Sequence, residues 1–277
     1  MIDELILNAL KEDVGEGDHS SLACIGDKEE GIARLEVREA GIIAGIDVAR
    51  RIFELFDSSL KLEVFVRDGS SVKPGDIAFI VKGAARSILT TERLVLNIMQ
   101  RMSGIATQTN RMVKMIAHTN ATLIDTRKTT PNFRLFEKQA VLIGGGGNHR
   151  FGLYDMVMIK DNHIDFAGGV AEAIAATSNY LKSKRKKLSI EIEVRNKEEL
   201  TEVIRVGGVD RIMLDNFSPT EIKKALQVIP KIYETEASGG ISQSTIVAYA
   251  ETGVDFISVG ELTHSVKSLD LGLKARF

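Results

Sequence analysis

Residues 190–215 read IEIEVRNKEELTEVIRVGGVDRIMLD, and this stretch decides the fold. A short apolar run at 190–194 is followed by a helical stretch at 197–206 and by a second short run at 211–215. The same alternation extends in both directions. Further short runs lie at 122–126, 156–160, 231–237 and 256–259, and helical stretches at 169–182, 219–229 and 244–252. Repeated β-then-α units predict a parallel sheet. Six strands are clear and a seventh is hidden near 139–143. An eight-stranded barrel needs more, so the expectation is an irregular, incomplete α/β barrel.

The first hundred residues follow another pattern. Over 31–38, Ala33, Leu35 and Val37 alternate with Arg34, Glu36 and Arg38, as in a half-buried strand. Residues 47–56 read as a helix with Ala49, Ile52, Phe53 and Phe56 on one side. Leu62, Val64 and Val66 alternate again, and Asp68-Gly69 and Lys73-Pro74-Gly75-Asp76 are turn signals before a strand at 77–81. These elements predict a small antiparallel α+β layer. A long helix is expected over 87–117. Ile88, Val95, Ile98, Met99 and Met102 form its apolar stripe, and Arg93, Asn97 and Arg101 share another face.

Composition narrows the functional classes. The chain has 277 residues and a formal net charge of −2, so no overall field favours nucleic acid or an anionic membrane. The basic run at 182–187 (KSKRKK) ends a helix, where cations suit the dipole. Cys24 is alone, which excludes an internal disulfide and a cysteine-rich zinc site and fits a reducing compartment. Residues 1–15 lack the basic start of a signal peptide, and no apolar run is long enough to span a bilayer. A cytoplasmic location is expected.

Polar residues fall at the ends of the strands. Asp125, Arg127 and Lys128 follow the first run, and Lys160, Asp161 and Asn162 the second. Glu191 and Glu193, two apart, point the same way. Asp215 and Asn216, then Glu234, Glu236 and Ser238, then Ser258, Gly260 and Glu261 close the rest. Active sites of α/β barrels are built at this end. The segment 125–163 adds Arg134, His149 and Arg150 among four consecutive glycines. Glycine lets backbone approach a ligand, and arginine grips carboxylate or phosphate with paired hydrogen bonds. Ser238-Gly239-Gly240 and Val259-Gly260-Glu261 read as phosphate-binding turns before helices.

These motifs resemble the quinolinate phosphoribosyltransferase family, also called nicotinate-nucleotide pyrophosphorylases. They are EDVGEGD at 12–18, TER at 91–93, DTRKTTP at 125–131, GGGGNHR at 144–150, IKDNH at 159–163, Glu191–Glu193, LDN at 214–216, SGGI at 238–241 and GELTHS at 260–265. His19, Ser20, Asn132 and Phe133 depart from the family pattern beside the motifs. The resemblance implies an N-terminal α/β sandwich with an antiparallel sheet over 1–105, the incomplete barrel over 106–265, and a segment 266–277 packing back on the sandwich. It implies transfer of phosphoribosyl from phosphoribosyl pyrophosphate to quinolinate with loss of CO₂, Mg²⁺ as cofactor, and a homodimer in which Arg93 enters the neighbouring subunit's site.

By the same resemblance, quinolinate is gripped by Arg93, Arg127, Arg150 and Lys160 with His149 beside them. Glu193 and Asp215 hold Mg²⁺ and the ribose hydroxyls. Lys128 stabilises the leaving pyrophosphate. Thr129, Ser238, Gly239, Gly240 and Gly260 complete the substrate contacts. Lys160 steadies the departing carboxylate or supplies the final proton. The rival of another class is a Schiff-base aldolase using Lys160. A silent anion-binding paralogue and a transferase for nicotinate are the others. His163 and His264 read as scaffold, His118 and His19 as surface residues, and Met99, Met102, Met112 and Met115 as packing.

Overall fold

The computed structural model describes residues 1–276. In chain order the elements are α1 (Ile2–Val14), α2 (His19–Cys24), β1 (Glu30–Val37), β2 (Gly41–Ile42), α3 (Ile46–Phe56), β3 (Lys61–Val64), β4 (Ser71–Val72), β5 (Ile77–Ala84) and α4 (Ala85–Met115). There follow β6 (Thr122–Ile124), α5 (Arg134–Ile143), β7 (Val157–Ile159), α6 (Asp161–Ala167), α7 (Val170–Ser183), β8 (Ile190–Val194), α8 (Lys197–Val206) and β9 (Arg211–Asp215). The last are α9 (Pro219–Leu226), β10 (Glu234–Ser238), α10 (Ile246–Ala250), β11 (Phe256–Ser258), α11 (Glu261–His264) and β12 (Leu271–Arg276).

The chain groups into two compact units. The first takes in Met1–Asn110, Thr129–Gly145 and the segment from Leu262 onward; the second takes in Arg111–Lys128 and Gly146–Glu261. This differs from a simple division at residues 105 and 265, because 129–145 groups with the N-terminal residues.

In the first unit the sheet runs β12-β1-β5-β3, antiparallel throughout. The alternation in β1 is a real facing pattern, with Ala33, Leu35 and Val37 buried. Helix α3 buries Ile46, Val48, Ala49, Ile52 and Phe53, and Phe53 meets Phe79 of β5 edge-on at 6.0 Å. Its start needs Gly45, which takes φ +99° where a Cβ would crowd Met99 and Met102. Two buried hydroxyls of α4 satisfy the backbone beside it. Ser103 Oγ accepts from the Ala44 amide at 2.9 Å, and Thr107 Oγ1 from Ile42 at 2.8 Å. The apolar stripe of α4 is fully buried, Met99 and Met102 included, so these methionines are packing residues.

In the second unit the sheet runs β6-β11-β10-β9-β8-β7, all parallel. Strands β6 and β7 do not pair, so the barrel is open between them. A single bridge, Ile124 to Gly147, extends that edge. The expected seventh strand near 139–143 is instead the end of α5. Phe136, Ala140 and Val141 recur at helical spacing and are buried, and that period overrides the short apolar run.

The four glycines at 144–147 prove to have structural duties of their own. A Cβ on Gly144 would lie 2.6 Å from the Ala106 carbonyl, Gly145 takes φ +93°, and Gly147 packs on Ile124. Strand β8 is buried on both faces, as parallel barrel strands are. Ile190, Ile192 and Val194 alternate with Glu191 and Glu193, so the two carboxylates share the second face. On that face Glu191 is level with Arg211, Arg211 with Glu234, and Glu193 with Met213 and then Glu236. The next level holds Asp215 and Ser238.

Candidate functional site

The face just described and the loops at its end carry three groups of polar side chains. The deepest is His149 with Glu191, Arg211 and Glu236. His149 Nε2 lies 3.0 Å from Glu191 Oε2 and 3.4 Å from Glu236 Oε2. Arg211 Nη1 is 3.2 Å from Glu236 Oε2, and its guanidinium stacks 3.9 Å above the Phe256 ring. His149, Glu191 and Glu236 are all buried. The backbone behind them is fixed by buried Asp125, which accepts from the His149 amide at 2.8 Å and from Asn148 Nδ2 at 2.7 Å. Two of the strongest sequence motifs, DTRKTTP and GGGGNHR, are thus tied together by Asp125.

This deep group holds a proton. Burial alone would depress His149, but hydrogen bonding and charge from Glu191 and Glu236 push it up to about 9. Burial and the Glu236 charge push Glu191 up to about 7, against His149 and Arg211. Burial would raise Glu236 too, yet His149, Ser258 and Arg211 hold it below the usual carboxylate range. The Arg150 amide points at His149 Nδ1 at 2.6 Å, which competes with a second proton on the ring. The two placements, imidazolium with Glu191 carboxylate or neutral imidazole with Glu191 carboxylic acid, carry the same net charge. With Arg211 balancing Glu236, the group is neutral while it keeps that proton.

A pH dependence of stability follows. The folded values of both His149 and Glu191 lie above their unfolded ones, 6.5 and 4.5. Stabilisation by the retained proton is therefore complete at low pH and is lost as pH rises through about 7 to 9. The melting temperature is expected to fall between about pH 6 and pH 9.5, and Glu191→Gln is expected to flatten that slope. A wild-type melting temperature that stays level across this range would refute the shared proton.

The ligand atoms of His149, Glu191 and Glu236 all lie within 4.8 Å of one another, a spacing that a metal ion also uses. Arg211 already supplies the counter-charge, and Arg150 N–H engages the ring, so we read this group as an ion network.

The second group lies at the strand ends. Lys160, just after β7, places Nζ 2.9 Å from Glu193 Oε2; Lys160 is about half exposed and Glu193 is buried. Its backbone caps α6, with the Lys160 amide donating to His163 Nδ1 at 2.9 Å, so His163 is scaffold. Arg150 reaches the same strand, with Nη1 3.4 Å from the Met156 carbonyl and Nη2 3.6 Å from Met158 Sδ. Burial, and then the nearby charge of Arg127, lower the Arg150 pKa.

The third group is the β9–β10 end. Asp215 accepts from Asn216 Nδ2 at 2.6 Å, and the Asn216 amide donates to the Ser238 carbonyl at 2.9 Å. Asn216 takes φ 59°, and its side chain lies where a Cβ of Gly239 would be, so Gly239 is required there. Gly240 also takes a positive φ, +62°. The Glu261 carboxylate, next to Gly260, accepts from the Gln243 amide at 2.9 Å and joins the last two turns.

Thus Arg127, Lys128, His149, Arg150, Lys160, Glu193, Asp215, Ser238, Gly239, Gly240 and Gly260 all belong to the second unit. Thr129 belongs to the first, where its hydroxyl accepts from Arg134 Nε at 2.9 Å, and so does Arg93, which is exposed on α4. The sequence marks Asp125 and Glu236 only as polar residues at strand ends and does not mark Arg211 at all. The signal for Arg211 and Glu236 lies in the inward positions of strands that alternate charged and apolar residues.

A parallel sheet carrying guanidiniums, a lysine and carboxylates at its strand ends defines an α/β-barrel enzyme that handles a polyanion. Sequence profiles make the assignment specific. Residues 105–274 match "Quinolinate phosphoribosyl transferase, C-terminal domain" and residues 18–103 the N-terminal domain of the same family. The chain belongs to the quinolinate phosphoribosyltransferase family. It is 46% identical over 281 residues to the chloroplastic nicotinate-nucleotide pyrophosphorylase (carboxylating) of Arabidopsis thaliana, covering 96% of this chain and 80% of the relative. It is 40% identical over 270 residues to the probable enzyme of that name from Bacillus subtilis, covering 98% and 92%. The nicotinate-nucleotide pyrophosphorylase structure from Francisella tularensis superposes with a TM-score of 0.91 at 40% identity, covering 99% of this chain and 96% of that one.

Proposed function

We propose that this protein transfers phosphoribosyl from phosphoribosyl pyrophosphate to quinolinate and releases pyrophosphate and CO₂, giving nicotinate mononucleotide for NAD biosynthesis. The carrying observation is the set of strand-end groups: Lys160 Nζ 2.9 Å from Glu193, Asp215 one level further on the neighbouring strand, and Arg150 against the residue that precedes the strand of Lys160. Guanidinium and ammonium groups meet a dicarboxylate with paired, charge-assisted hydrogen bonds. Arg127, in the motif that precedes them in the chain, adds a further cation.

The donor set suits Mg²⁺. Glu193 and Asp215 are hard oxygen ligands on neighbouring strands, on one face and one level apart. They would hold the ion with waters and substrate oxygens. When bound, Mg²⁺ supplies charge stabilisation to the pyrophosphate oxygens. Glu193 and Asp215 also orient the ribose hydroxyls, and Lys128, exposed at the surface, meets the leaving pyrophosphate. Ser238, Gly239, Gly240 and Gly260 offer backbone amides to phosphate, and Thr129 stands next to Lys128.

In the reaction the bond from ribose C1 to the pyrophosphate oxygen breaks and a bond from C1 to the ring nitrogen forms. The nitrogen becomes cationic and stabilises the electron pair left on the neighbouring ring carbon when its carboxylate departs as CO₂. That carbon then takes a proton. Lys160 is assigned to steady the departing carboxylate or to give the proton. Its pairing with Glu193, in a polar setting, argues against the Schiff-base alternative, which asks for an amine freed from such a partner.

We further propose a homodimer in which exposed Arg93 completes the neighbouring subunit's site, and a reducing, aqueous location such as the cytosol. Among the described residues no helix is long and apolar enough to cross a membrane. The test is a product assay with quinolinate, phosphoribosyl pyrophosphate and Mg²⁺, following CO₂. Release with quinolinate but no product with nicotinate is the expected result. Product from nicotinate alone would overturn the reading.

A further inference from the structure

The first unit contains a buried ion pair that the reaction above does not use. Glu137 of α5 is completely buried, and both its oxygens are engaged. Oε1 accepts from Arg101 Nε at 3.0 Å, from Arg101 Nη2 at 2.8 Å and from Thr130 Oγ1 at 2.9 Å. Oε2 accepts from the Thr130 amide at 3.0 Å. Arg101, on α4, also donates to the Val266 carbonyl at 3.2 Å and to the Thr263 carbonyl. One carboxylate and one guanidinium therefore join four points of the chain: α4 at 101, α5 at 137, the turn at 130 and the segment 263–266.

Two of those points sit beside residues assigned to substrate. Thr130 follows Arg127, Lys128 and Thr129, and Thr263 follows Gly260. Thr129 is pinned as well, by Arg134. The ion pair lies on the face of α4 that carries Arg93 and Asn97, both exposed, whereas Arg101 is turned to protein partners. A carboxylate buried in this way is costly unless its charge and lone pairs are met. Here four donors meet it, two of them from Thr130, in the turn that follows Arg127 and Lys128.

We infer that Arg101 and Glu137 are positioning residues: their pair clamps the Thr130 turn, so that Arg127 and Lys128 are held in place for the substrate anions. The inference rests on the reading of those two cations as ligand-binding. It assigns Glu137, Arg101 and Thr130 to the binding of substrate through others, with no contact of their own to the reacting atoms.

Thr130→Val is the mild variant. It removes the hydroxyl bond to Glu137 and keeps the amide bond, at an exposed residue. Thr130→Ser restores the hydroxyl, and Glu137→Gln removes the charge opposite Arg101. Deuterium exchange of the amides at 126–130 and steady-state kinetics with quinolinate and phosphoribosyl pyrophosphate are measured on the intact protein.

Thr130→Val is expected to exchange faster at 126–130 and to raise the quinolinate KM about tenfold at nearly unchanged melting temperature, with Thr130→Ser close to wild type. Glu137→Gln is expected to lower kcat/KM about 100-fold. Because Glu137→Gln is able to fail to fold, Thr130→Val decides. Unchanged exchange, or an unchanged KM, in Thr130→Val overturns the inference. A wild-type protein that yields no product from quinolinate instead defeats the functional reading, and the exchange data still judge the clamp.

Discussion

Lys160→Ala is expected to lose about 1,000-fold in turnover while melting only somewhat below the wild-type temperature. The two readouts separate because of where the side chain sits. Lys160 is 46% exposed, so deleting it removes little packing, and the cost that remains is the unpaired Glu193, 9% exposed at the strand end. The ion pair at 2.9 Å fixes the ammonium beside the carboxylate that we assign to Mg²⁺ and ribose. On the proposed function, loss of the ammonium removes the cation assigned to steady the carboxylate that departs. Substrate affinity is expected to fall less than turnover, because Arg127 and Arg150 remain. Near-normal turnover in Lys160→Ala would remove this residue from the chemistry.

Arg211→Ala is expected to act in the opposite way, on the fold first. Its guanidinium contacts Glu236 at 3.2 Å and Glu234 at 2.9 Å and covers the Phe256 ring. Glu191 and Glu236 have no exposed surface. Without Arg211 the two carboxylates share only His149, and one negative charge is left uncompensated in the interior. Breaking a buried pair from one side costs about 3–5 kcal/mol, or a melting temperature lower by roughly 10 °C for a chain of this size. Arg211→Met combined with Glu236→Gln is expected to recover part of the loss, since both charges then go. An Arg211→Ala protein as stable as wild type would mean that the deep ion network contributes nothing to the fold.

The legible parts of the sequence were those with local signals. Strands β8 and β9 and helix α8 lie where the periodicity puts them, because each is bounded by residues that cannot continue it. Asn196 caps α8 by accepting from the Glu199 amide, and Gly207 ends it at φ +69°. The start of β10 was misread by three residues, because 230–233 form a turn in which the Tyr233 amide donates to Pro230. Helix α5 was obscured by its own apolar end, and α2 by its six-residue length, although Asp18 caps it through the Ser21 amide.

The candidate site divides along the same line. Cations in glycine-rich motifs announced themselves. Arg211 did not, and Glu236 stood out only as one polar residue near a strand end, because a charged residue on an inward strand face looks the same in sequence as one on an outward face. Only the registers that align Glu191 with Arg211, and Met213 with Glu236, show that these charges meet.

Strand β12 lies antiparallel to β1, with Ile32 opposite Arg276 and Val37 opposite Leu271. During synthesis, β1 is made within the first forty residues, yet one of its two neighbours is made among the last. Until then a row of unpaired amides and carbonyls stands open along β1, an invitation to pair with another nascent chain. Chains released prematurely, short of residue 271, should therefore be recovered chiefly as aggregates, while a peptide spanning the missing strand, supplied in trans, should compete for the same edge.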